Sequence, residues 1–150
     1  MKKLFSTVFI LITFVIMTNA QNSNNNLPTS LFERLGGTKG ITLIVDDVIE
    51  AHMNNPAIKA RFTPYLEQPE RLAKIRQHTI DFFSAGSGGQ VSYTGRDMTS
   101  THKGMNISAE EYMCVIDDIM LVLGNHNIDE KSKNEVLAIL WSLKGMIMSK

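Results

Sequence analysis

Cysteine is nearly missing from this chain of 150 residues: Cys114 stands alone, so no disulfide can close within it. No Cys-x-x-Cys-His string occurs, which excludes a prosthetic group attached through thioether bonds. Net charge is missing too. Lys and Arg number 15, and so do Asp and Glu. That balance leaves no electrostatic footprint for nucleic acid or an anionic membrane surface. Internal repeats are absent. Alternation of apolar and polar residues, the mark of a half-buried strand, is weak and confined to about Gln90 to Tyr93.

Long apolar runs are lacking after the first twenty residues. Within those twenty, Lys2 and Lys3 precede an uncharged apolar run from Leu4 to Met17, and Thr18-Asn19-Ala20 closes it. A basic start, an apolar centre and a small-residue end make a secretory signal peptide. The run is 14 residues long, short of the ~20 that a helix needs to cross a bilayer. Residues 1–20 are therefore expected to be cleaved, which sends the chain to the periplasm or outside the cell and leaves no stable membrane span. Losing Lys2 and Lys3 leaves 13 basic and 15 acidic residues, a net charge near −2. Residues 21–29, Asn-rich from Gln21 to Asn26, read as a disordered tether. Residues 30–150 suit one domain.

What is present in that domain is helix after helix. Ser30-Leu31-Phe32-Glu33 has the form of a capping box, and Gly36-Gly37 stops the short helix it opens. Thr38 is placed to cap a second helix running to about Asn54, with Ile41, Val45, Val48, Ile49 and His52 at helical spacing. Asn55-Pro56 ends it. A turn holds Ile58 and Phe62, and Pro64 is expected to break it. Pro69 suits a first helical position. The third helix carries Leu72, Ile75, Thr79, Phe82 and Phe83 on one face and ends in Gly86 to Gly89. Ser108-Ala109-Glu110-Glu111 is a second capping box, followed by the stripe Tyr112, Val115, Ile116, Ile119, Met120 and Leu123. Asp129 is placed to cap a last helix with Val136, Leu140, Leu143 and Ile147 inward. The fold class is all-α.

Two of the four histidines stand out. His78 lies at the edge of the third helix's apolar stripe. His102 ends the stretch Tyr93-Thr94-Gly95-Arg96-Asp97-Met98-Thr99-Ser100-Thr101-His102, after the glycine-broken loop Gly86-Ser87-Gly88-Gly89. Two imidazoles on separate helices, with aromatics between, suit the two faces of a flat apolar ligand such as haem, whose iron commonly takes imidazole as an axial donor. His52, on an apolar face, reads as a core histidine, and His126, in a Gly-Asn-His-Asn turn, as plain loop.

Taken in order, several strings resemble the group I truncated haemoglobins: Leu31-Phe32-Glu33-Arg34-Leu35-Gly36-Gly37, Val45-Asp46-Asp47, Asn55-Pro56, Phe82-Phe83-Ser84-Ala85, and Tyr93 to Met98 followed by Thr101-His102-Lys103-Gly104. The resemblance covers roughly Ser30 to Met148. It implies a shortened globin, a two-on-two helical sandwich around non-covalent haem b, with His102 as the proximal iron ligand. It places Phe62 flat on the haem face, Ile49, Ile75, Phe82, Phe83 and Met98 in the pocket, and Tyr93, Thr94 and Arg96 near the propionates. The chain departs from the family on the distal side. Relatives commonly carry a tyrosine where Ile49 stands and a glutamine where Thr79 stands, and Ile75 occupies another commonly polar position. His78 is left as the distal candidate, and some relatives with a histidine there ligate iron through it.

The resemblance thus implies a haem protein that binds O₂, NO or CO or cycles its iron between ferrous and ferric, more a ligand-binding or redox protein than a dedicated enzyme, with an unidentified electron donor. An NO dioxygenase or a peroxidase-like detoxifier is the enzymatic alternative. A helical binding protein without haem is the third.

The chain isolated from its native cell is expected to begin at or near Gln21. Intact-mass measurement checks this, and retention of Met1 to Ala20 contradicts it.

Overall fold

Serine and aspartate caps set the starts of four helices. In the computed structural model, which describes residues 29–150, these are α1 (Leu31–Arg34) capped by Ser30, α5 (Met98–His102) by Asp97, α6 (Ala109–Asn125) by Ser108 and α7 (Glu130–Ile147) by Asp129. Ser30 and Ser108 form full capping boxes. Each hydroxyl accepts the N–H of the glutamate three residues on, at 3.2 and 3.1 Å, and each glutamate carboxylate accepts the serine N–H at 2.9 Å. Orphan donors at both helix starts are satisfied within one turn. The expected signal over 1–20, and the tether up to residue 28, lie outside the described residues.

Helix α2 (Gly37–Asn54) begins differently from expectation. Its cap is Gly36, at φ +86° and without a side-chain bond, and Thr38 lies inside the first turn. A left-handed cap is open to glycine at little cost and excludes a threonine. Phe62 ends the short α3 (Lys59–Phe62), but Pro64 does not break the chain there. It sits in a 3₁₀ turn over Thr63–Tyr65, whose early positions need no N–H from it. Helix α4 (Pro69–Gly86) starts at Pro69 as expected. Residues 90–97 form no strand. The one bridge among the described residues pairs Ile107 with Met148 in parallel.

Four long helices make the body, a two-on-two sandwich. Helix α2 packs on α4 and on α6, and α6 packs on α7, while α1 crosses α2 and α5 lies against α7. The core joins Leu31, Leu35, Ile41, Ile44, Val45 and Val48 to Ile80, Tyr112, Ile116, Ile119, Leu123, Val136 and Leu140. On α4 the deepest residues are Ile80 and Ser84. The expected stripe Leu72, Ile75, Thr79, Phe82 and Phe83 is half-buried instead, so α4 has two working faces. A small cavity of about 20 Å³ is lined wholly by apolar side chains, Phe83 among them.

Polar ties cross this apolar body. The Tyr112 hydroxyl donates to the Leu140 carbonyl. Arg34 reaches from α1 to Ser132 Oγ at 2.8 Å and to Glu135 on α7. Arg76 on α4 grips both oxygens of Asp46 on α2, and that guanidinium holds the Asp46 carboxyl below the usual carboxylate range. His126, expected to be plain loop, places Nε2 at 2.7 Å from Asp47 Oδ2 and so ties the end of α6 to α2.

The crossing of α1 and α2 depends on Gly40. A Cβ there would stand 2.1 Å from the Leu35 carbonyl oxygen, a backbone atom that cannot rotate away. Gly40→Ala is therefore expected to lower stability by about 2 kcal/mol or more. Ser84→Ala is expected to be neutral or slightly stabilising, because the buried Ser84 hydroxyl has no partner among the described residues. Urea unfolding of the two variants checks both.

Candidate functional site

His102 closes α5, a helix of one turn and a residue that exists because Asp97 accepts the Ser100 N–H at 2.9 Å. Its Nδ1 lies 2.8 Å from the Met98 carbonyl oxygen. A carbonyl can only accept, so Nδ1 carries a hydrogen, and in the neutral ring the lone pair is on Nε2. This is the tautomer that a histidine needs in order to ligate a metal through Nε2, with its outer nitrogen oriented by backbone.

The segment after His102 is held from three directions. Gly104 and Asn106, at φ +82° and +47°, donate their N–H groups to the Lys150 carbonyl at 2.9 and 3.0 Å. Ile107 accepts from Ser149 N–H at 3.1 Å. Arg61 donates to the Met105 carbonyl at 2.8 Å while forking onto Glu111 at 2.7 and 2.9 Å. The Arg61 hydrogen bonds, joined by the Ser108 N–H, draw the Glu111 carboxyl down to about 2.

His78 stands on α4, half-buried, and its Nδ1 is fully buried without a hydrogen-bond partner among the described residues. Its ring meets Tyr93 edge-on, with centroids 6.1 Å apart. Tyr93 meets Phe82 at 5.4 Å, and Phe82 meets Phe83 at 6.0 Å. Tyr93 is thus an aromatic wall, and its hydroxyl is spent on the Arg96 carbonyl at 2.7 Å. Arg96 itself is exposed and has no ion pair among the described residues. Thr79 likewise spends its hydroxyl, on the Ile75 carbonyl at 2.9 Å. Ile75 and Met98 are half-buried.

Not every expected pocket residue joins this group. Phe83 and Ile49 pack against the core cluster, and Phe83 also lines the small apolar cavity. Phe62 lies against His52, with centroids 5.1 Å apart and the rings tilted by 31°. His52 is buried, and its Nδ1 is 2.9 Å from Asp118 Oδ2. The other Asp118 oxygen accepts from Asn55 Nδ2 at 2.9 Å. Sequence reasoning placed His52 on an apolar face but missed this network. Asp118 is 66 residues away, and an aspartate inside a helix carries no local sign of its partner.

A family model described as bacterial-like globin matches residues 30–149. The chain belongs to the bacterial-like globin family. A group 1 truncated hemoglobin of Synechocystis sp. is 30% identical over 115 residues, covering 74% of this globin and 89% of that relative. Another, from Tetrahymena pyriformis, is 24% identical over 115 residues. Among solved structures, a truncated hemoglobin of Tetrahymena pyriformis in its Fe(III) form overlays with a TM-score of 0.73 at 20% identity, covering 81% of this globin and all of that chain. A 2/2 hemoglobin of Synechococcus sp. in the cyanomet state, with covalently attached heme, overlays at 0.68 with 23% identity, over 77% and 94% of the two chains. These overlays speak to the fold. No helix among the described residues is long and apolar enough to cross a membrane.

Burial holds the His52 imidazole below its ordinary value of 6.5, with Asp118 opposing that shift. The unfolded chain takes up a proton there near 6.5, whereas the folded one does so only at lower pH. Stability is then lost as pH falls from 6.5 towards the folded value. Thermal melting between pH 7.5 and 5.5 is expected to show this loss, and His52→Gln is expected to flatten it.

Proposed function

We propose that this globin holds non-covalent haem b through Nε2 of His102 and binds the diatomic gases O₂, NO or CO, in an exported protein. The observation that carries the reading is the bond from His102 Nδ1 to the Met98 carbonyl, on the histidine that matches the family's proximal position. It leaves the lone pair of Nε2 for a metal. No group of three or more His, Cys, Asp or Glu side chains converges as a metal site among the described residues. A metal held by His102 would have to bring most of its other ligands with it, as iron does in a macrocycle. Haem, when bound, supplies iron that takes a gas ligand or changes between ferrous and ferric.

The remaining residues fit the same group. His78 brings a half-buried imidazole whose buried Nδ1 has no hydrogen-bond partner among the described residues, suited to act as a sixth ligand. Phe62, Ile75 and Phe82 supply apolar surface for the ring faces and edges. The exposed guanidinium of Arg96 suits a propionate. The distal side favours gas binding or one-electron cycling over NO dioxygenation or peroxidase-like chemistry. Ile49 and Ile75 offer no donor there, and the Thr79 hydroxyl is already committed to Ile75. Residues 1–20 support the export reading through their signal-peptide pattern.

Two measurements test this. Wild-type protein supplied with haem is expected to take it up stoichiometrically, and His102→Ala to lose most of it. Near-stoichiometric haem with an unchanged ferrous-CO spectrum in that variant would refute the proximal assignment. The wild-type ferrous spectrum is also expected to be at least partly six-coordinate, becoming five-coordinate in His78→Ala with faster CO binding. A five-coordinate wild type that binds CO at the variant's rate would return His78 to a polar residue beside Tyr93.

A further inference from the structure

The buried His52–Asp118 pair has no part in the gas-binding reading, yet it touches a residue that does. Asp118, on α6, spends both carboxylate oxygens on the corner between α2 and α3. Oδ2 meets Nδ1 of His52 at 2.9 Å, and Oδ1 accepts from Asn55 Nδ2 at 2.9 Å. A carboxylate can only accept, so His52 presents Nδ1–H to it and the plane of the imidazole is set. That plane carries Phe62, whose ring lies 5.1 Å away at a tilt of 31°.

Asn55 acts on the same residue through the backbone. While its amide donates to Asp118, its Oδ1 accepts the Ala57 N–H at 3.1 Å. The Asn55 carbonyl accepts from Ile58 and Lys59 at 3.1 and 2.8 Å. These bonds shape the turn that leads into α3, four residues in which nothing is buried and no side chain caps the start. So short a helix has little propensity of its own to hold it. A second carboxylate on α6, Glu111, stands seven residues before Asp118 and so two turns away on nearly the same face. It grips Arg61, the neighbour of Phe62.

We propose that Asp118, acting through His52 and Asn55, is the positioning residue that sets Phe62 against the haem and so governs how firmly haem is retained. This rests on the haem reading given above. A strand of apolar contacts alone would let the Phe62 ring slide. The Asp118 carboxylate turns that contact into a directed one, because its two bonds fix both the ring behind Phe62 and the turn before it. The role resembles that of outer-shell groups which orient a ligand they do not replace.

The test uses haem-loaded full-length protein and the variants Asp118→Leu, Asp118→Asn and Ile116→Ala. Ile116 is a core residue on the same helix, and its truncation serves as a control for plain destabilisation. Haem transfer to an excess of apomyoglobin gives the loss rate, and urea unfolding gives stability. Asp118→Leu is expected to release haem about tenfold faster, the scale on which outer-shell partners act. Asp118→Asn keeps one accepting oxygen and is expected to fall between. Ile116→Ala is expected to lose stability without a matching rise in loss rate.

Histidine ¹⁵N shifts of haem-free wild type supply a readout independent of haem, with His52 expected as the Nδ1–H tautomer and that signature lost in Asp118→Leu. Loss rates that follow stability alone across all three variants overturn the proposal while leaving the haem reading intact. A wild type that takes up no haem overturns both. A haem-free Nε2–H tautomer at His52 overturns the positioning route, whatever the loss rates.

Discussion

Burial of one stripe on α2 is the interaction on which the remaining structure depends. Ile41, Ile44, Val45, Val48 and His52 are its buried residues, and α1, α4 and α6 all pack against this helix. Each aliphatic side chain so buried contributes about 1.5–3 kcal/mol from water removal, which the ordering of the chain largely offsets. Helix α2 therefore cannot be loosened at one place alone. Its start is fixed by the left-handed Gly36 and by the contact of Gly40 with the Leu35 carbonyl. Its far end is fixed by His52 and Asn55 on Asp118.

Around that apolar centre, polar groups set registers that hydrophobic contact leaves undetermined. Arg76 fixes α4 against α2 two residues before His78. Arg61 joins α3 to the segment that follows His102. Most of these pairs are at least partly exposed, so each adds little to stability by itself. Their value lies in direction. A fork of two hydrogen bonds allows one arrangement where apolar packing would allow several.

The helix α4 illustrates how a functional face differs from a core face. Ile80 and Ser84 face the interior, and the half-buried row with Ile75, His78, Thr79 and Phe82 lies to one side. An amphipathic pattern reports only that residues leave water, not what they meet when they do. That is why Phe82 and Phe83, adjacent in sequence and equally apolar, part company: one meets Tyr93, the other the core.

The sequence by itself determined the all-α class, the caps at Ser30, Ser108 and Asp129, the helix start at Pro69 and the family resemblance carried by the strings up to His102. All of these are local: a cap or a proline acts within one turn, and its partner is a few residues away. It misassigned the cap of α2, because Gly36 and Thr38 both suit a helix start until the backbone angle is known. It read His126 as plain loop and missed the Asp118 network, because those partners lie 79 and 66 residues off. Tertiary structure alone decided that Phe62 rests on His52, that Asp118 spends both oxygens on His52 and Asn55, and that Arg61 joins Glu111 to the Met105 carbonyl. Each of these depends on where a group from another helix or loop arrives in space, and residue spacing does not encode that.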